Sequence, residues 1–557
     1  MVNSPNSSLS LHSRDSYHPQ SLRQSSDIDF PNVCTTQSHV SELSRFISSV
    51  RNDLDMDEIE YNSRKSQRAP ESILIDEIQD PDNEQEEKID DDDGPPMDGG
   101  MAWVMAICSM LMVFATWGAN AGFGVFLNYY LSSDQFAGSS KYDFALIGGI
   151  VVFLAQSLAP FSGLACRVFG TTPVFILGII IQTAAYICAS FATKLWHLYL
   201  AQGVFVGLSF VMVFIPATFI LPTWFDKRMA TAMGITVGGA GLGGVVFSLS
   251  INKLIDTTGD QRWALRMCGI VTGSAATFAA LILRPRKRTN TPLKSTLTKD
   301  FVLANAKIMF NFKVFRRYPL AILALWFSVI LMTYIILLFS LAPYAQSVGL
   351  SASQGSNITA ILNAAQVVGR PTMGYFGDSI GRNNTSGLVC LTCSILILAF
   401  WINATTYASL IGFSVLMGSI VGVGSTMAQS MAADLVEIPA HLPAAWSGLN
   451  IMVGLFSLVA EVIALTLVDS SSERQYLHPQ IFTGVIFFFG FILLLVNREW
   501  LVRHKIHTRR HALEEVFEAD QLEKESDTEA IKVQLGTYRR LLTPQHFFTR
   551  MFYPIRV

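Results

Sequence analysis

Charged residues are scarce in this sequence. Asp, Glu, Lys and Arg make up 15% of its 557 residues, whereas half of all residues are hydrophobic. Soluble globular domains average about 25% charged residues, so this composition excludes an ordinary soluble fold. A cleavable signal peptide is also missing, because residues 1–30 are polar and rich in serine. We therefore expect the first apolar segment to act as its own insertion signal.

The residue groups that catalysis and metal binding require are missing as well. No apolar segment carries a nucleophile–base pair, a metal site of the HExxH type or a phosphate-binding glycine loop. The seven cysteines lie mainly in apolar segments, and Cys390-x-x-Cys393 has no second pair with which to form a zinc site. These absences argue against an enzyme. We therefore expect no metal and no cofactor to be bound, and nucleic acid is not an expected partner.

Long apolar segments are abundant instead. Twelve of them follow the polar first hundred residues, and each approaches the roughly 20 residues that cross a bilayer as a helix. They predict an all-α membrane protein with twelve transmembrane helices in two six-helix halves, numbered here as spans 1 to 12. Their approximate ranges are 102–130, 144–166, 173–192, 197–221, 229–251, 264–283, 318–341, 357–376, 386–404, 407–432, 445–468 and 479–497.

Charge divides the chain into five regions. Residues 1–97, which end shortly after the acidic run Asp90–Asp93, lack apolar periodicity and are predicted to form a disordered cytoplasmic tail. The other regions are a first six-helix half at 98–283, a basic linker at 284–317, a second half at 318–497 and a charged tail at 498–557.

Lys and Arg are unevenly distributed among the loops. The linker is rich in both, whereas 342–356 and 402–408 contain neither. The positive-inside rule therefore places the linker and both termini in the cytoplasm. We expect an integral multi-pass protein of the plasma membrane, with a vacuolar or other internal membrane as the alternative.

Arg370 lies within Ile358–Phe376, an otherwise uncharged stretch of span 8. An arginine at the bilayer centre costs about 2.5–3.5 kcal/mol on insertion scales, so it should face a polar cavity or a partner. At 100° per residue, one helix face carries a polar stripe of Asn363, Gln366, Arg370 and Gly374. The other faces of the helix largely carry the apolar residues Ile361, Leu362 and Val368. The stripe predicts substrate contact, and the alternative is an Arg370 that snorkels toward the cytoplasm.

Two sequence echoes relate the halves. Gly374-Tyr-Phe-Gly-Asp378-Ser-Ile-Gly-Arg382 follows span 8, and Gly163-Leu-Ala-Cys-Arg167-Val-Phe-Gly170 follows span 2. At nearly the same offset, Ala232-Met-Gly234 of span 5 pairs with Trp446-Ser-Gly448 of span 11. Together they indicate an internal repeat, as in many secondary transporters. For either echo alone, the alternative is that glycine simply permits a tight turn.

The loop Gly-x3-Asp-x2-Gly-Arg after span 8 resembles the signature loop of the major facilitator superfamily. The resemblance implies the twelve-helix fold of that superfamily and a cytoplasmic gate latched by the loop charges, here Asp378 and Arg382. The copy after span 2 departs from the pattern, because Arg167 stands where Asp is usual and Thr171 where Arg is usual. Arg167 could still pair across the interface between the halves.

Two further stretches resemble the paired signatures of the monocarboxylate porter family. Asp98-Gly-Gly-Met-Ala-Trp103 leads into span 1, and Trp224-Phe-Asp-Lys227-Arg228 leads into span 5. Gly-Arg370-Pro-x-x-Gly374 resembles the arginine-bearing helix of the same family. The resemblance covers about 98–497 and is nearest to the fungal branch. Lys227 and Arg228 are expected to anchor span 5 at the cytoplasmic gate.

The resemblance also implies how the site works. In proton-linked members, the arginine of span 8 binds the substrate carboxylate, and an aspartate and a lysine handle the proton. Here Gln366 and Ala121 occupy those two positions, and neither titrates. We therefore expect Arg370 to hold an anionic or strongly polar substrate.

The neighbouring candidates are neutral except for one carboxyl group. Asn363, Gln366 and Asn120 can supply neutral hydrogen bonds, and aromatic residues such as Tyr344 are candidates to line a cavity. Glu461, within span 11, is a candidate proton carrier or a counter-ion to Arg370. Its alternative is a buried, partnered residue near the outer end of the span.

The leading functional hypothesis is a secondary transporter that moves a small organic anion, in the first place a monocarboxylate, by alternating access. Within transport, the alternative is facilitated movement of a larger neutral or aromatic solute such as riboflavin, which the missing Asp and Lys favour. A nutrient receptor without transport is the alternative from another class. The expected partners are a small-molecule substrate and the lipid bilayer, and the basic–aromatic C-terminal tail suits the inner leaflet or a sorting or regulatory protein.

Overall fold

The computed structural model describes residues 95–132, 136, 139–286, 293–436, 438–469, 471–518, 525–555 and 557. All of them belong to one compact unit, Asp80–Val557. The tail predicted to be disordered at 1–97 lies outside the described residues except for 95–97.

Within the described ranges, every regular element is a helix. Ten helices are long and apolar enough to span a membrane, and they correspond to spans 1, 3–7 and 9–12. Their bounds are Gly100–Leu127, Thr171–Ala189, Leu195–Thr223, Met229–Thr258, Arg262–Ile282, Tyr318–Ser347, Arg382–Asn403, Tyr407–Leu435, Leu442–Thr466 and Leu477–His511. Span 2 is a pair, Lys141–Ser157 and Ala159–Phe169, bent by 49° at the break between its helices.

Span 8 is the helix Ala352–Ile380, whose 29 residues are enough to cross a bilayer at about 1.5 Å per residue. It is not among the ten, because its composition is too polar. The polar residues responsible include the predicted stripe around Arg370. The span that departs most from a lipid-facing composition is therefore the one that carries the candidate site.

The two halves meet along glycine-lined helix pairs. On span 5, Gly234, Gly238, Gly241 and Gly244 face span 8, whereas Gly239 and Gly243 face span 1. A methyl group at Gly241 would lie 2.6 Å from the carbonyl oxygen of Asn363. On the other side, a methyl group at Gly149 of span 2 would lie 2.6 Å from the carbonyl oxygen of Leu458 of span 11. Missing side chains thus allow close approach of the backbones.

The linker and the tail lie at one end of the bundle, called the linker face below. The linker contains short helices at Leu293–Thr296 and Lys299–Met309 and a 3₁₀ turn at Phe312–Arg316. The helix of span 12 continues without a break to Glu518 and is followed by Glu525–Leu541 and Phe547–Phe552.

The tail folds back onto the end of span 12. Arg550 and Glu499 form an ion pair in which both side chains are only 3% exposed. Arg498 donates to the carbonyl oxygens of Met551 and Tyr553. Arg550 is therefore enclosed by protein and does not contribute to the basic surface that was expected to suit the inner leaflet or a partner protein.

Candidate functional site

The polar stripe of span 8 faces protein. Asn363, Gln366 and Arg370 are at most 3% exposed, whereas Val368 on the opposite side is 71% exposed. Leu362 was expected to point away with Val368, but it is fully buried because its turn packs against Gly418 of span 10. The stripe therefore lies inside the bundle, at the boundary between the halves.

Arg370 is held by neutral groups from three spans. Its guanidinium donates to the carbonyl oxygen of Val237 on span 5, to Oε1 of Gln366 and, at 3.5 Å, to the hydroxyl of Tyr334 on span 7. Its Nε has no hydrogen-bond partner and lies against Gly422 of span 10. No carboxylate of the described residues forms an ion pair with it.

This geometry excludes the snorkelling alternative, because the guanidinium points into protein. Burying a charge without an opposite charge is costly, and the cost is reduced when an anion binds beside it. Arg370 is thus placed to attract a negatively charged group.

The hydrogen-bond network continues along span 8. Gln366 donates from Nε2 to Oδ1 of Asn363 at 3.0 Å, and its Oε1 accepts from the hydroxyl of Tyr334 at 3.1 Å. Nδ2 of Asn363 is buried without a partner, close to Gly244 of span 5. Ala121 of span 1 lies beside the same glycine, so the span 1 position named in the sequence analysis comes near Asn363. Nδ2 of Asn363 and Nε of Arg370 are therefore unused donors.

Tyr334 is the member of the network that the sequence reasoning missed. A phenol within the long apolar run of span 7 was the available signal, and its position opposite the stripe could not be read from the sequence. One of the aromatic candidates named instead, Tyr344, donates to the carbonyl oxygen of Ala404 and packs against Trp401. Tyr344 is therefore part of the packing of the second half.

The two remaining candidates, Asn120 and Glu461, do not bond to Arg370 in the structure. Asn120 is partly exposed on span 1 and makes no hydrogen bond with the network. Glu461 is 4% exposed and lies against Gly148 of span 2, with its Oε2 unpartnered. Glu461 and Arg370 form no ion pair among the described residues, so the counter-ion alternative for Glu461 does not hold in this conformation.

The loop after span 8 joins the two halves at the linker face. The carboxylate of Asp378 accepts from the backbone N–H groups of Ala230 and Thr231 at 3.1 and 2.8 Å, and from the Thr231 hydroxyl at 2.7 Å. These N–H groups lie in the first turn of span 5, where a carboxylate is favoured. Arg382 pairs with Asp378 at 3.1 Å and with Asp434 of span 10 at 2.8 Å.

The loop after span 2 is held differently. Arg167 donates to Oδ1 of Asn305 in the linker helix at 3.0 Å, so its observed partner lies in the linker and not in the second half.

The two signature stretches of the first half touch each other at the linker face. Asp98 accepts from the backbone N–H groups of Lys227 and Arg228, both at 3.1 Å. The rings of Trp103 and Phe225 meet edge to face with centroids 5.0 Å apart. The residues before span 1 thus fix the start of span 5. Lys227 and Arg228 act here through their backbones, and the gating role of their side chains stays a prediction.

Asp378→Asn is expected to lower transport about tenfold. The substitution removes the charge from the hydrogen bonds to span 5, and such charge-assisted bonds are worth about 1.5–3 kcal/mol. Initial transport rates in proteoliposomes measure the effect. Asp434→Asn is the matched control, because Asp434 is 41% exposed and exposed ion pairs contribute little. Equal rates for the two variants would contradict a latch at Asp378.

Comparisons with known proteins agree with this architecture. A family model described as Major Facilitator Superfamily matches residues 104–346 and 329–554. The Uncharacterized transporter ESBP6 of Saccharomyces cerevisiae is 41% identical over 471 residues, which are 83% of this chain and 70% of that protein. The Probable transporter MCH2 of the same yeast is 32% identical over 76% of this chain and 87% of that protein. The Fujikurins efflux protein of Gibberella fujikuroi is 27% identical over 73% of this chain and 84% of its own length.

Proposed function

Since the chain belongs to the major facilitator superfamily, we propose that it moves a small organic anion, in the first place a monocarboxylate, by alternating access of its two halves. The family match confirms the predicted superfamily fold. Its relatives are named transporters, which confirms a multi-pass membrane transporter of small molecules and not an enzyme.

One observation carries the proposal for an anion. Arg370 is buried where the halves meet, and its hydrogen-bond partners are neutral. A planar guanidinium can bind a carboxylate through two parallel hydrogen bonds. The unused donors on Arg370 and Asn363 lie on the same helix face, and both suit an oxygen-rich substrate.

The finer assignment to the monocarboxylate porter family rests on the signature stretches. Their contact through Asp98 and through Trp103 and Phe225 supports reading them as one paired feature. We further propose the five-region organisation given above, with the linker face in the cytoplasm and the plasma membrane as the location.

The test is transport by purified protein in liposomes. Labelled lactate, pyruvate and acetate would be offered first and riboflavin second, with and without a pH gradient, and flux would be followed in both directions. Saturable movement of a monocarboxylate is the expected result. Movement of no tested solute by folded protein would favour the receptor hypothesis.

A second candidate is a facilitator of a larger neutral or aromatic solute, with riboflavin as the first test. The side chains that bond to Arg370, those of Tyr334 and Gln366, are neutral and could bind amide or carbonyl groups. Riboflavin transport that is insensitive to excess monocarboxylate would select this candidate.

We propose Glu461 as the group that would couple transport to protons. Its carboxyl group is buried between spans 11 and 2 and has no ion-pair partner in the described part of the chain. Intramembrane carboxyl groups in transporters commonly serve as proton carriers. Glu461→Gln is expected to retain anion exchange and to lose the stimulation of uptake by an inward proton gradient. Wild-type uptake that ignores the gradient would refute coupling through Glu461.

A further inference from the structure

We propose that the linker gates the protein at the linker face. Met309 packs on span 2 and Phe315 packs on span 11, which holds the two spans together. Asn305 supplies the partner of Arg167 in the loop after span 2, where the superfamily pattern is incomplete. The proposal concerns the transport cycle and does not depend on the identity of the substrate.

The linker is bound to the first half through the end of span 2. Arg167 donates to Asn305 at 3.0 Å, and the hydroxyl of Thr296 donates to the carbonyl oxygen of Val168 at 2.8 Å. Met309 is 1% exposed and lies on Gly163, where a side chain on the glycine would collide with it. The linker is therefore bound at the loop after span 2, in which the superfamily pattern is incomplete.

The same segment reaches the second half six residues later. The ring of Phe315 lies on Gly448 of span 11, and a methyl group at Gly448 would be 2.6 Å from its Cζ. Gly163 and Gly448 are members of the two sequence echoes noted above. Each glycine thus leaves space in which one side chain of a short, continuous linker segment packs.

This placement has a mechanical consequence. The linker face can open only if the halves separate there, and spans 2 and 11 lie on opposite sides of that boundary. Met309 and Phe315 are joined only by a short loop and the 3₁₀ turn Phe312–Arg316, so the segment must stretch or unwind if both side chains keep their positions while the spans separate. Opening of this face therefore either removes one of the two side chains from its glycine or disrupts the turn between them, and the cost of either change favours the closed arrangement.

A reporter for opening is available in span 4. Thr218 is fully buried and joins the halves, because its hydroxyl accepts from Nε1 of Trp446 and its carbonyl oxygen accepts from Nε2 of Gln429. A thiol introduced by Thr218→Cys becomes reachable only when span 4 separates from spans 10 and 11. Its alkylation by a membrane-impermeant maleimide, read by mass spectrometry of the peptide that contains it, reports opening without any substrate.

The test compares Phe315→Ala and Met309→Ala with Phe312→Ala, each combined with Thr218→Cys in the full-length protein. Phe312 lies in the same 3₁₀ turn but is 40% exposed, which makes it the matched control. We expect alkylation to become at least about threefold faster for Phe315→Ala and Met309→Ala and to stay unchanged for Phe312→Ala.

Gly448→Ala disrupts the contact between Phe315 and span 11 while leaving the linker sequence intact. We therefore also expect faster alkylation in this variant. Only variants that elute as the wild type does in size exclusion are compared. Unchanged alkylation in Phe315→Ala, Met309→Ala and Gly448→Ala would overturn the gate and leave the linker as a passive tether. Because no substrate is present, a failed anion assay would not affect this result.

Discussion

Replacing Arg370 with alanine is expected to weaken carboxylate transport strongly while the protein still inserts and folds. A hydrogen bond to a charged group contributes about 1.5–3 kcal/mol, so the loss should raise the substrate concentration for half-maximal transport about 10- to 100-fold. Insertion should not suffer, because an intramembrane arginine costs about 2.5–3.5 kcal/mol on insertion scales. Concentration dependence of initial rates in proteoliposomes measures the change.

A substitution that keeps the positive charge of Arg370 should have a smaller effect. Arg370→Lys keeps the charge but loses the planar fork, so we expect partial activity between that of the wild type and that of the alanine variant. Arg266→Ala is the control, because Arg266 of span 6 stays within the first half, where it bonds to Ser190 and lies over the ring of Trp263. Full transport by Arg370→Ala would remove Arg370 from the site.

Adding one methyl group to span 5 is also expected to reduce transport strongly. In Gly241→Ala the new methyl would lie 2.6 Å from the carbonyl oxygen of Asn363, closer than real side-chain contacts come, so spans 5 and 8 must move apart. Overpacking of this kind costs about 1–3 kcal/mol and would displace Asn363 and Gln366 from their observed positions. We expect transport to fall at least about tenfold, measured on protein of normal elution volume.

Gly238→Ala provides the control for this effect. It places the same methyl one turn away on the same face, but the nearest atom, the carbonyl oxygen of Val367, is 3.5 Å away, which is an ordinary contact. Near-normal transport is expected for Gly238→Ala. If the two variants behave alike, lower helix flexibility and not the contact with span 8 would explain the loss.

The span pattern and the buried stripe could be predicted because both follow from periodicity. Apolar length predicts twelve crossings, and the spacing of Asn363, Gln366 and Arg370 places them on one face whatever packs against it. The loop charges Asp378 and Arg382 were also recognisable, since their spacing repeats a known pattern. Their partners at the start of span 5 follow from the fold and carry no local signal.

Contacts between distant segments could not be predicted. Tyr334 is one phenol in an apolar helix, and only the packing of span 7 against span 8 brings it to Gln366. Pairing of Arg167 across the interface was one possibility, but its observed partner is Asn305 of the linker. Glu461 was paired with Arg370 in one hypothesis because both are rare intramembrane charges. Rarity does not determine distance, and the structure places Glu461 against span 2.

The most direct test of the anion site compares a carboxylate with its uncharged amide of nearly the same shape. Proteoliposomes would be loaded with unlabelled lactate, and labelled lactate or labelled lactamide would be offered outside to wild type and to Arg370→Ala. We predict rapid exchange of lactate by the wild type, at least about tenfold slower entry of lactamide, and no such preference in the variant. Equal entry of lactate and lactamide into wild-type vesicles, or an unchanged preference in Arg370→Ala, would contradict an anion site built around Arg370.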